Sequence, residues 1–258
     1  MRTQAPYPHR IISLEPSITA TVLALGGRER LIAVSEHDER LVGEEAIKGL
    51  PRVPCTWSVT AEDVLPLAPD LVIASVPMRR ESVEALLRAG LNVLALYPQR
   101  LEDVYNNIRL LAALLDARER GDELIADMEL RFARLWEASS QKSPVRVFME
   151  VWPRPLMNGP AWHADLLSIV GGEFVPPGPN RRLDENEVIE ADPEVIVVVW
   201  PGVDDPPLRR VYERPGWEEV SAIREKRVVT VPEIWVNAPG VNLARGAEWL
   251  AEAIWRFI

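Results

Sequence analysis

Short runs of β-branched residues alternate with helical patterns along the first third of the chain. The apolar runs are residues 10–14, 31–35, 71–74 and 92–96, and helical patterns between them cover residues 17–25 and 82–89. Glycines follow both helical patterns, and glycine is the residue with which helices most often end. Strands separated by helices are typical of a parallel sheet that helices cover. The pattern therefore predicts an α/β fold.

A long helical pattern divides the chain into two parts. It covers residues 101–139, with an interruption near residues 116–121. A helix of about 20 residues is roughly 30 Å long, which is enough to join two lobes. Further strand patterns occupy residues 145–151, 195–200 and 227–231, and an amphipathic helix closes the chain over residues 241–257. We predict an N-terminal α/β lobe over residues 1–116, a linking helix over residues 117–143 and a C-terminal α/β lobe over residues 144–258.

One segment of the first half recurs in the second. Residues 62–73 match residues 186–197, and each copy contains a short helix, a proline, an acidic residue and a buried strand. Pro69 and Pro193 occupy the same place in the two copies. Shared α/β patterning alone does not require that coincidence, so the match indicates two lobes of similar construction.

Charge and cysteine content exclude several classes of protein. The 258 residues include 39 acidic and 29 basic ones, a net charge of −10 that disfavours nucleic acids and anionic membrane surfaces as partners. Cys55 is the single cysteine, so no disulfide forms within the chain. Three histidines argue against a zinc site of three or four ligands.

The amino-terminal residues show no targeting pattern. Residues 1–6 lead directly to Ile11 and Ile12, without a hydrophobic region, a small-residue cleavage site or a lipidation cysteine. No apolar run approaches the roughly 18 residues of a spanning helix. We expect no insertion into a membrane, and either a cytoplasmic protein or the mature form of an exported one.

The common catalytic motifs are missing from the chain. Neither the nucleophile elbow, the dinucleotide-binding glycine pattern, the P-loop nor the zincin motif occurs. We therefore expect a protein that is not an enzyme, has no catalytic residues and needs no intrinsic cofactor.

Tryptophan is the most frequent aromatic residue, with nine copies against four each of Tyr and Phe. Trp152, Trp200 and Trp235 follow predicted strands, and Trp57 lies in a loop before the first copy of the repeat. Ligands of open α/β sheets bind beyond the carboxyl ends of the strands. We expect at least two of these four residues to line a ligand cleft, where large rigid rings bind a flat or bulky ligand.

The other tryptophans lie in helical patterns. We assign them to core packing, except Trp162, for which core and cleft rim both remain open; the core set is Trp136, Trp217, Trp249 and Trp255.

Two polar positions allow more than one interpretation. Ser17 is either the N-cap of the first helix or a contact for a polar ligand group. His37 is either a solvated loop residue or the axial ligand of a metal that a bound molecule carries.

Several motifs together resemble the class III periplasmic binding proteins, and most of all their vitamin B12-binding branch. The resembling segments are residues 10–19, 23–26, 31–35, 50–53, 56–57, 68–74, 171–173, 191–196, 234–235 and 238–239. They span nearly the whole chain. The same group includes siderophore and haem binders.

The resemblance implies two Rossmann-like lobes with parallel-rich central sheets, joined by a single long helix, with the ligand cleft between the lobes. It further implies a non-catalytic, monomeric carrier of a corrinoid such as cobalamin. The residues assigned to the ligand are Trp57, Trp235, Trp152, Trp200, Ser17, Glu36, His37, Asn158 and Trp162. The alternatives are a ferric siderophore or haem as ligand, or an enzyme, either corrinoid-processing or α/β hydrolase-like, that uses His37 or His163 with neighbouring acids.

Exported members of the group dock on an importer through an acidic residue on each lobe. The resemblance places the N-terminal one at Glu81, and the repeat offset carries that position to Asp205, with Glu213 as the alternative. The partner would be the permease dimer of an ABC importer. The missing export signal also leaves open a cytosolic carrier of corrinoid.

Overall fold

The computed structural model describes residues 7–257. Residues 1–6, on which the expectation about an export signal depends, lie outside the described residues. The chain divides into two compact units. The first holds the described residues as far as Pro98, with Glu102–Asp127 and Ala238–Val241, and the second holds Gln99–Leu101, Met128–Asn237 and the residues from Asn242 onward.

A five-stranded parallel sheet forms the centre of the first unit, which confirms the predicted α/β pattern. Its strands are β1 (Ile11–Ser13), β2 (Leu31–Ser35), β3 (Arg52–Val53), β4 (Leu71–Ala74) and β5 (Val93–Ala95), in the order β3-β2-β1-β4-β5. The helices of this part of the chain are α1 (Pro16–Ala24), α2 (Glu39–Val42), α3 (Ala61–Val64), α4 (Arg80–Arg88) and α5 (Leu101–Leu114).

Both faces of this sheet are buried. Ile11 and Ile12 are neighbours in β1, and each belongs to a separate apolar cluster. Successive side chains of a strand point to opposite faces, so the two clusters cover the two sides of the sheet. Burial on both sides explains why the strands are continuous apolar runs in the sequence.

The second unit has a mixed sheet. Its strands are β6 (Val145–Pro153), β7 (Leu156–Asn158), β8 (Gly172–Phe174), β9 (Val195–Val198) and β10 (Val228–Thr230). β8, β9 and β10 extend the sheet in parallel, whereas β7 pairs antiparallel with β6. β7 and β8 have three residues each, too few for a recognisable alternation, and the sequence did not predict them.

The remaining helices include the long one that the sequence predicted. They are α6 (Arg118–Ser139), α7 (Ala161–Ile169), α8 (Glu185–Ala191), α9 (Arg209–Tyr212), α10 (Ser221–Arg224), α11 (Ile234–Asn237) and α12 (Leu243–Trp255). The division between the units falls within α6. Among the described residues, none of these helices combines the length and the apolarity needed to cross a membrane.

The internal repeat is real in three dimensions. Asp63 accepts a hydrogen bond from the backbone N–H of Thr60 at 2.8 Å, and Glu187 accepts one from the N–H of Asp184 at 2.9 Å. These acids occupy equivalent places in the two copies and close the first turn of α3 and of α8.

A second shared feature ends the helical part of each copy of the repeat. Ala68 and Asp192, which the alignment pairs, both have left-handed backbone, with φ of 45° and 41°. The guanidinium Nε of Arg10 donates to the carbonyl of Ala68 at 2.9 Å, and that of Arg146 donates to the carbonyl of Asp192 at 3.0 Å. The same contact therefore fixes the amino end of the first strand in both units.

The tryptophans assigned to the core differ in how deeply they are buried. Trp217 is fully buried and packs edge-on against Phe148, with ring centroids 6.2 Å apart, whereas Trp249 and Trp255 are half-buried. The prediction for Trp136 was wrong, because its side chain is 59% exposed. The buried stripe of α6 continues from Phe132 to half-buried Leu135 and to Ser139, which turns position 136 outward.

Candidate functional site

Exposed and half-exposed side chains follow the carboxyl ends of the strands in the first sheet. Glu36 and His37 follow β2, Cys55 and Trp57 follow β3, and Tyr97 follows β5. Because all five strands are parallel, these residues follow the same edge of the sheet. The side chains of Trp57 and Tyr97 are 55% and 62% exposed. Tyr97 was not predicted as a site residue, although its position directly after an apolar run of the sequence was a signal for it.

The loop that carries Trp57 is held by its backbone. The N–H of Thr56 donates to the carbonyl of Leu14 at 3.2 Å, and the hydroxyl of Ser82 donates to the carbonyl of Trp57 itself at 3.2 Å. The indole thus lies in water on a backbone that is fixed at both sides, which lowers the entropy lost when a ligand binds.

Three potential metal ligands meet at the same edge. The ligand atoms of Glu36, His37 and Cys55 all lie within 4.8 Å of one another, and Oε1 of Glu36 is 3.8 Å from Nε2 of His37. The small number of histidines and cysteines argued against a zinc site, but the fold adds the carboxylate of Glu36 to His37 and Cys55.

A polar cluster is buried next to these loops. The carboxylate of Asp38 accepts hydrogen bonds from the hydroxyl of Thr19 and from the N–H of Ser35, the latter at 3.2 Å. Burial raises the pKa of Asp38 to about 7, although these hydrogen bonds lower it. Its immediate neighbour in sequence, His37, is half exposed.

Ser17 is neither a cap nor an exposed contact. Helix α1 begins at Pro16, with Glu15 in the N-cap position, because proline is preorganised for the first helical turn. Ser17 is fully buried, and its hydroxyl has no hydrogen-bond partner among the described residues.

Trp152 lies in the last part of a strand of the second unit, and Trp235 follows another strand of that unit. Trp152 lies near the carboxyl end of β6, and its side chain is 44% exposed, with the indole Nε1 donating to the carbonyl of Arg154 at 3.0 Å. Trp235 is half-buried in α11, which follows β10.

The helix of Trp235 is fixed through the next residue along the chain. The carbonyl of Val236 accepts from Nε1 of Trp162 at 2.9 Å and contacts Nε2 of His163 at 3.0 Å. His163 is fully buried, and this burial lowers its pKa to about 4. Trp162, which the sequence left open between core and rim, is therefore a buried residue that positions α11.

Gly246, in α12, allows the backbone of α11 to approach closely because it has no side chain. A Cβ atom at this glycine would lie 2.3 Å from the carbonyl oxygen of Trp235. Glu233 and Asn237 add further bonds, because Oε1 of Glu233 accepts from the N–H of Gly202 and the amide of Asn237 donates to the carbonyl of Val199. The position of Trp235 is thus determined by contacts on several sides.

A buried ion pair lies beneath the carboxyl end of β6. Both oxygens of Glu150 accept from the guanidinium of Arg214 at 2.9 Å, and Oε1 also accepts from the indole of Trp200 at 3.1 Å. The guanidinium lies 4.1 Å from the ring centroid of Trp217. A cavity of about 550 Å³ adjoins this group, and the most buried residues of its lining are Trp200 and Arg214.

Two residues predicted to contact ligand lie in the interior instead. Trp200 is 4% exposed and uses its N–H within the protein. Asn158 is fully buried, and its amide group donates to the carbonyl of Gly178 and accepts from the N–H of Arg181. Side-chain amides in the interior are satisfied by protein partners, so this residue stabilises a turn.

The three acidic residues considered for docking are exposed. Glu81 lies in the first turn of α4, 3.5 Å from the guanidinium of Arg79. Asp205 lies in the segment before α9, and Glu213 follows that helix and pairs with Arg209 at 2.6 Å.

Comparison with known proteins gives the following similarities. A family model described as periplasmic binding protein matches residues 11–234. The uncharacterized ABC transporter substrate-binding lipoprotein YvrC of Bacillus subtilis is 27% identical over 262 residues, 96% of this chain and 80% of the relative. The vitamin B12-binding protein of Vibrio parahaemolyticus is 27% identical over 246 residues, 92% of this chain and 86% of the relative.

A solved structure extends the likeness to three dimensions. The apo form of the periplasmic heme-binding protein RhuT from Roseiflexus matches with a TM-score of 0.82 at 22% identity, over 96% of this chain and 98% of that chain. At this identity the likeness concerns the fold.

Proposed function

Because this chain belongs to the periplasmic binding protein family, we propose that it binds a small-molecule solute and delivers it to an ABC importer. The family match covers residues 11–234, and the relative from Bacillus subtilis is named as an ABC transporter substrate-binding lipoprotein. In this function the protein binds and releases its solute without changing it, as a monomer and without an intrinsic cofactor.

We propose a corrinoid such as cobalamin as the solute. The observation that carries this proposal is the exposure of two indole rings near the carboxyl ends of strands, Trp57 in the first unit and Trp152 in the second. Tryptophan faces exposed to water favour a flat, partly apolar ligand that covers them. The relative from Vibrio parahaemolyticus is named as a vitamin B12-binding protein.

The remaining residues proposed to contact the ligand are selected by the exposure of their side chains. Trp235 is half-buried, whereas Glu36 and His37 offer half-exposed polar groups beside the loop of Trp57. Four residues that were predicted from the sequence to contact the ligand are buried and are left out of the proposed contacts: Ser17, Asn158, Trp162 and Trp200.

Replacement of Trp57 by Ala tests the proposal. Covering an indole that is 55% exposed removes on the order of 100 Å² of apolar surface from water, so we expect a loss of roughly 2–3 kcal/mol. This corresponds to a rise in the Kd for cobalamin of roughly 30- to 150-fold in a fluorescence titration. Trp136→Ala is the matched control, because Trp136 is equally exposed but lies on a helix.

Two results would refute the corrinoid proposal. One is the absence of tryptophan quenching at micromolar cobalamin. The other is an equal change of affinity in the Trp57 and Trp136 variants. Neither result affects the assignment to the family, which rests on the match over residues 11–234.

Haem is the second candidate solute. The imidazole of His37 is half exposed, and a neutral imidazole is a common axial ligand of haem iron. A thermal-shift competition separates the two candidates, because a ligand that binds only the folded state raises the Tm by mass action. A larger shift with haem than with cobalamin at equal concentrations would favour haem.

An enzymatic function has less support. His163 is fully buried and contacts the carbonyl of Val236, so it is not accessible to a solute. For His37 the test is direct: cobalamin recovered after incubation with the protein should be chemically unchanged.

We propose Glu81 and Asp205 as the docking residues for the permease dimer, with Glu213 as the alternative to Asp205. All three side chains are exposed. Replacing Glu81 by Lys should leave cobalamin affinity unchanged and abolish importer-dependent uptake. Uptake that persists in both the Glu81→Lys and Asp205→Lys variants would contradict this assignment.

A further inference from the structure

Adjacent strands bring three metal-binding side chains together. Ser35 of β2 and Val53 of β3 are partners in the sheet, and the N–H of Glu36 continues this ladder by donating to the carbonyl of Val53 at 2.9 Å. Residues just beyond the two strand ends therefore lie side by side. Cys55, with its thiol 3.8 Å from the hydroxyl of Ser58, completes the group.

The distances suit a small metal ion. Around a tetrahedral ion with bonds of 2.0–2.3 Å, neighbouring ligand atoms lie about 3.4 Å apart. Oε1 of Glu36 is already 3.8 Å from Nε2 of His37, and the thiol is within 4.8 Å of both. Both side chains are half exposed, so rotation about their χ angles can close the remaining distance without moving the sheet.

The donor set also indicates which metals fit. One imidazole nitrogen, one thiolate sulfur and one carboxylate oxygen suit ions of intermediate softness such as Zn²⁺ and Co²⁺, and not Mg²⁺ or Ca²⁺, which take oxygen ligands. The carboxylate and the thiolate compensate the charge of a divalent ion. The net charge of −10 further favours a cation over an anion.

We propose that Glu36, His37 and Cys55 bind one divalent transition metal ion, Zn²⁺ or Co²⁺, at the carboxyl edge of the first sheet. Three protein ligands leave the fourth tetrahedral position open to water or to a donor atom of a solute. The proposal concerns the solute-free protein, and the three ligands all come from this chain.

Titration of the reduced, solute-free protein with Co²⁺ tests the proposal. A thiolate bound to Co²⁺ gives a sulfur-to-metal charge-transfer absorption, which we expect at one equivalent of metal. Cys55→Ser should abolish this band, and His37→Ala and Glu36→Gln should each raise the Kd at least about tenfold, since loss of an outer-shell partner alone has that effect. Zn²⁺ should displace the bound Co²⁺.

Two control variants test whether a change in Co²⁺ binding is specific to the three proposed ligands. His9 and Glu39 are exposed residues of the same unit, and His9→Ala and Glu39→Gln should bind Co²⁺ as the unchanged protein does. The proposal is overturned if no charge-transfer band forms, or if the Kd is the same in the Cys55, His37 and control variants. Cobalamin titration of the same variants reports separately on the proposed solute.

Discussion

His163 makes the stability of the protein depend on pH in a way that can be calculated. The imidazole has a pKa near 6.5 when it is exposed, whereas full burial lowers its pKa to about 4 in the folded protein. Between pH 6.5 and about pH 4 the unfolded chain therefore binds a proton at this position that the folded chain does not bind. The stabilisation from the neutral imidazole is complete above pH 6.5 and is lost as the pH falls towards 4.

The size of this effect follows from the pKa values. A fall from 6.5 to about 4 corresponds to about 3 kcal/mol, at 1.36 kcal/mol per pKa unit. Such a loss is a large fraction of the 5–15 kcal/mol that is typical for the free energy of unfolding of a native protein.

Urea titrations at a series of pH values measure the effect. In His163→Gln the amide nitrogen takes the place of Nε2 and donates to the carbonyl of Val236, but the side chain does not titrate. The free energy of unfolding of the unchanged protein minus that of His163→Gln should fall by about 3 kcal/mol between pH 7 and about pH 4. All other groups contribute equally to both proteins, so the difference isolates His163.

Replacement of exposed His9 by Gln is the control, and it should leave the pH dependence as it is in the unchanged protein. The reasoning is refuted if the curves of the His163→Gln and unchanged proteins are parallel between pH 7 and pH 4. That outcome would show that the folded protein binds a proton at His163 as readily as the unfolded chain does.

Three further substitutions test the second unit. Glu150→Gln leaves the guanidinium of Arg214 buried without its charged partner, and we expect the free energy of unfolding in urea to fall by about 3–5 kcal/mol. Gly159→Ala would place a Cβ atom 2.2 Å from Nδ1 of His163, so we expect a loss of about 1–3 kcal/mol that His163→Ala partly relieves. Trp152→Ala should weaken cobalamin binding roughly tenfold or more in a fluorescence titration, with an unchanged Tm.

Each of these predictions has a contrary outcome. Glu213→Gln removes the acid of an exposed pair and should not change the Tm, so an equal effect of Glu150→Gln would show that burial of the ion pair is immaterial. Additive effects of Gly159→Ala and His163→Ala would exclude the steric conflict. Unchanged cobalamin affinity in Trp152→Ala would remove this residue from the proposed contacts.

The fold was predictable where burial leaves a regular pattern in the sequence. Strands β1, β2, β4 and β5 lie in a sheet that is covered on both faces, so each reads as an apolar run. β7 was not predicted, because its three residues pair antiparallel with β6 in the middle of a parallel pattern. Its place is decided by tertiary contacts and not by local periodicity.

The candidate site was predictable only in part. Trp57 and Trp152 are exposed near strand ends, as expected from their positions in the sequence. Asn158 and Trp200 occupy similar positions but are buried by partners distant in sequence, such as Arg181 and Glu150. The sequence did not identify Cys55 as a candidate metal ligand, because Glu36 and His37, which lie beside it, follow another strand.

The repeat also shows which contacts the two units have in common. Arg10 and Arg146 make the same contact with left-handed residues at the amino ends of strands, so one contact is shared by both units. The repeat offset carries Trp57 to Arg181, whose guanidinium pairs with Glu187, so Trp57 has no tryptophan at the equivalent position of the second unit.

The contacts of Arg10 and Arg146 thus stabilise the amino ends of the first strands in both units, whereas the loops at the carboxyl ends carry different side chains. Loops placed on a rigid scaffold can change their side chains without loss of the fold. Ligand specificity should therefore respond to substitutions at Trp57 and Trp152, and stability to substitutions at Arg10 and Arg146. Because the two sets of residues lie at opposite ends of the strands, their effects on the free energy of unfolding should be additive.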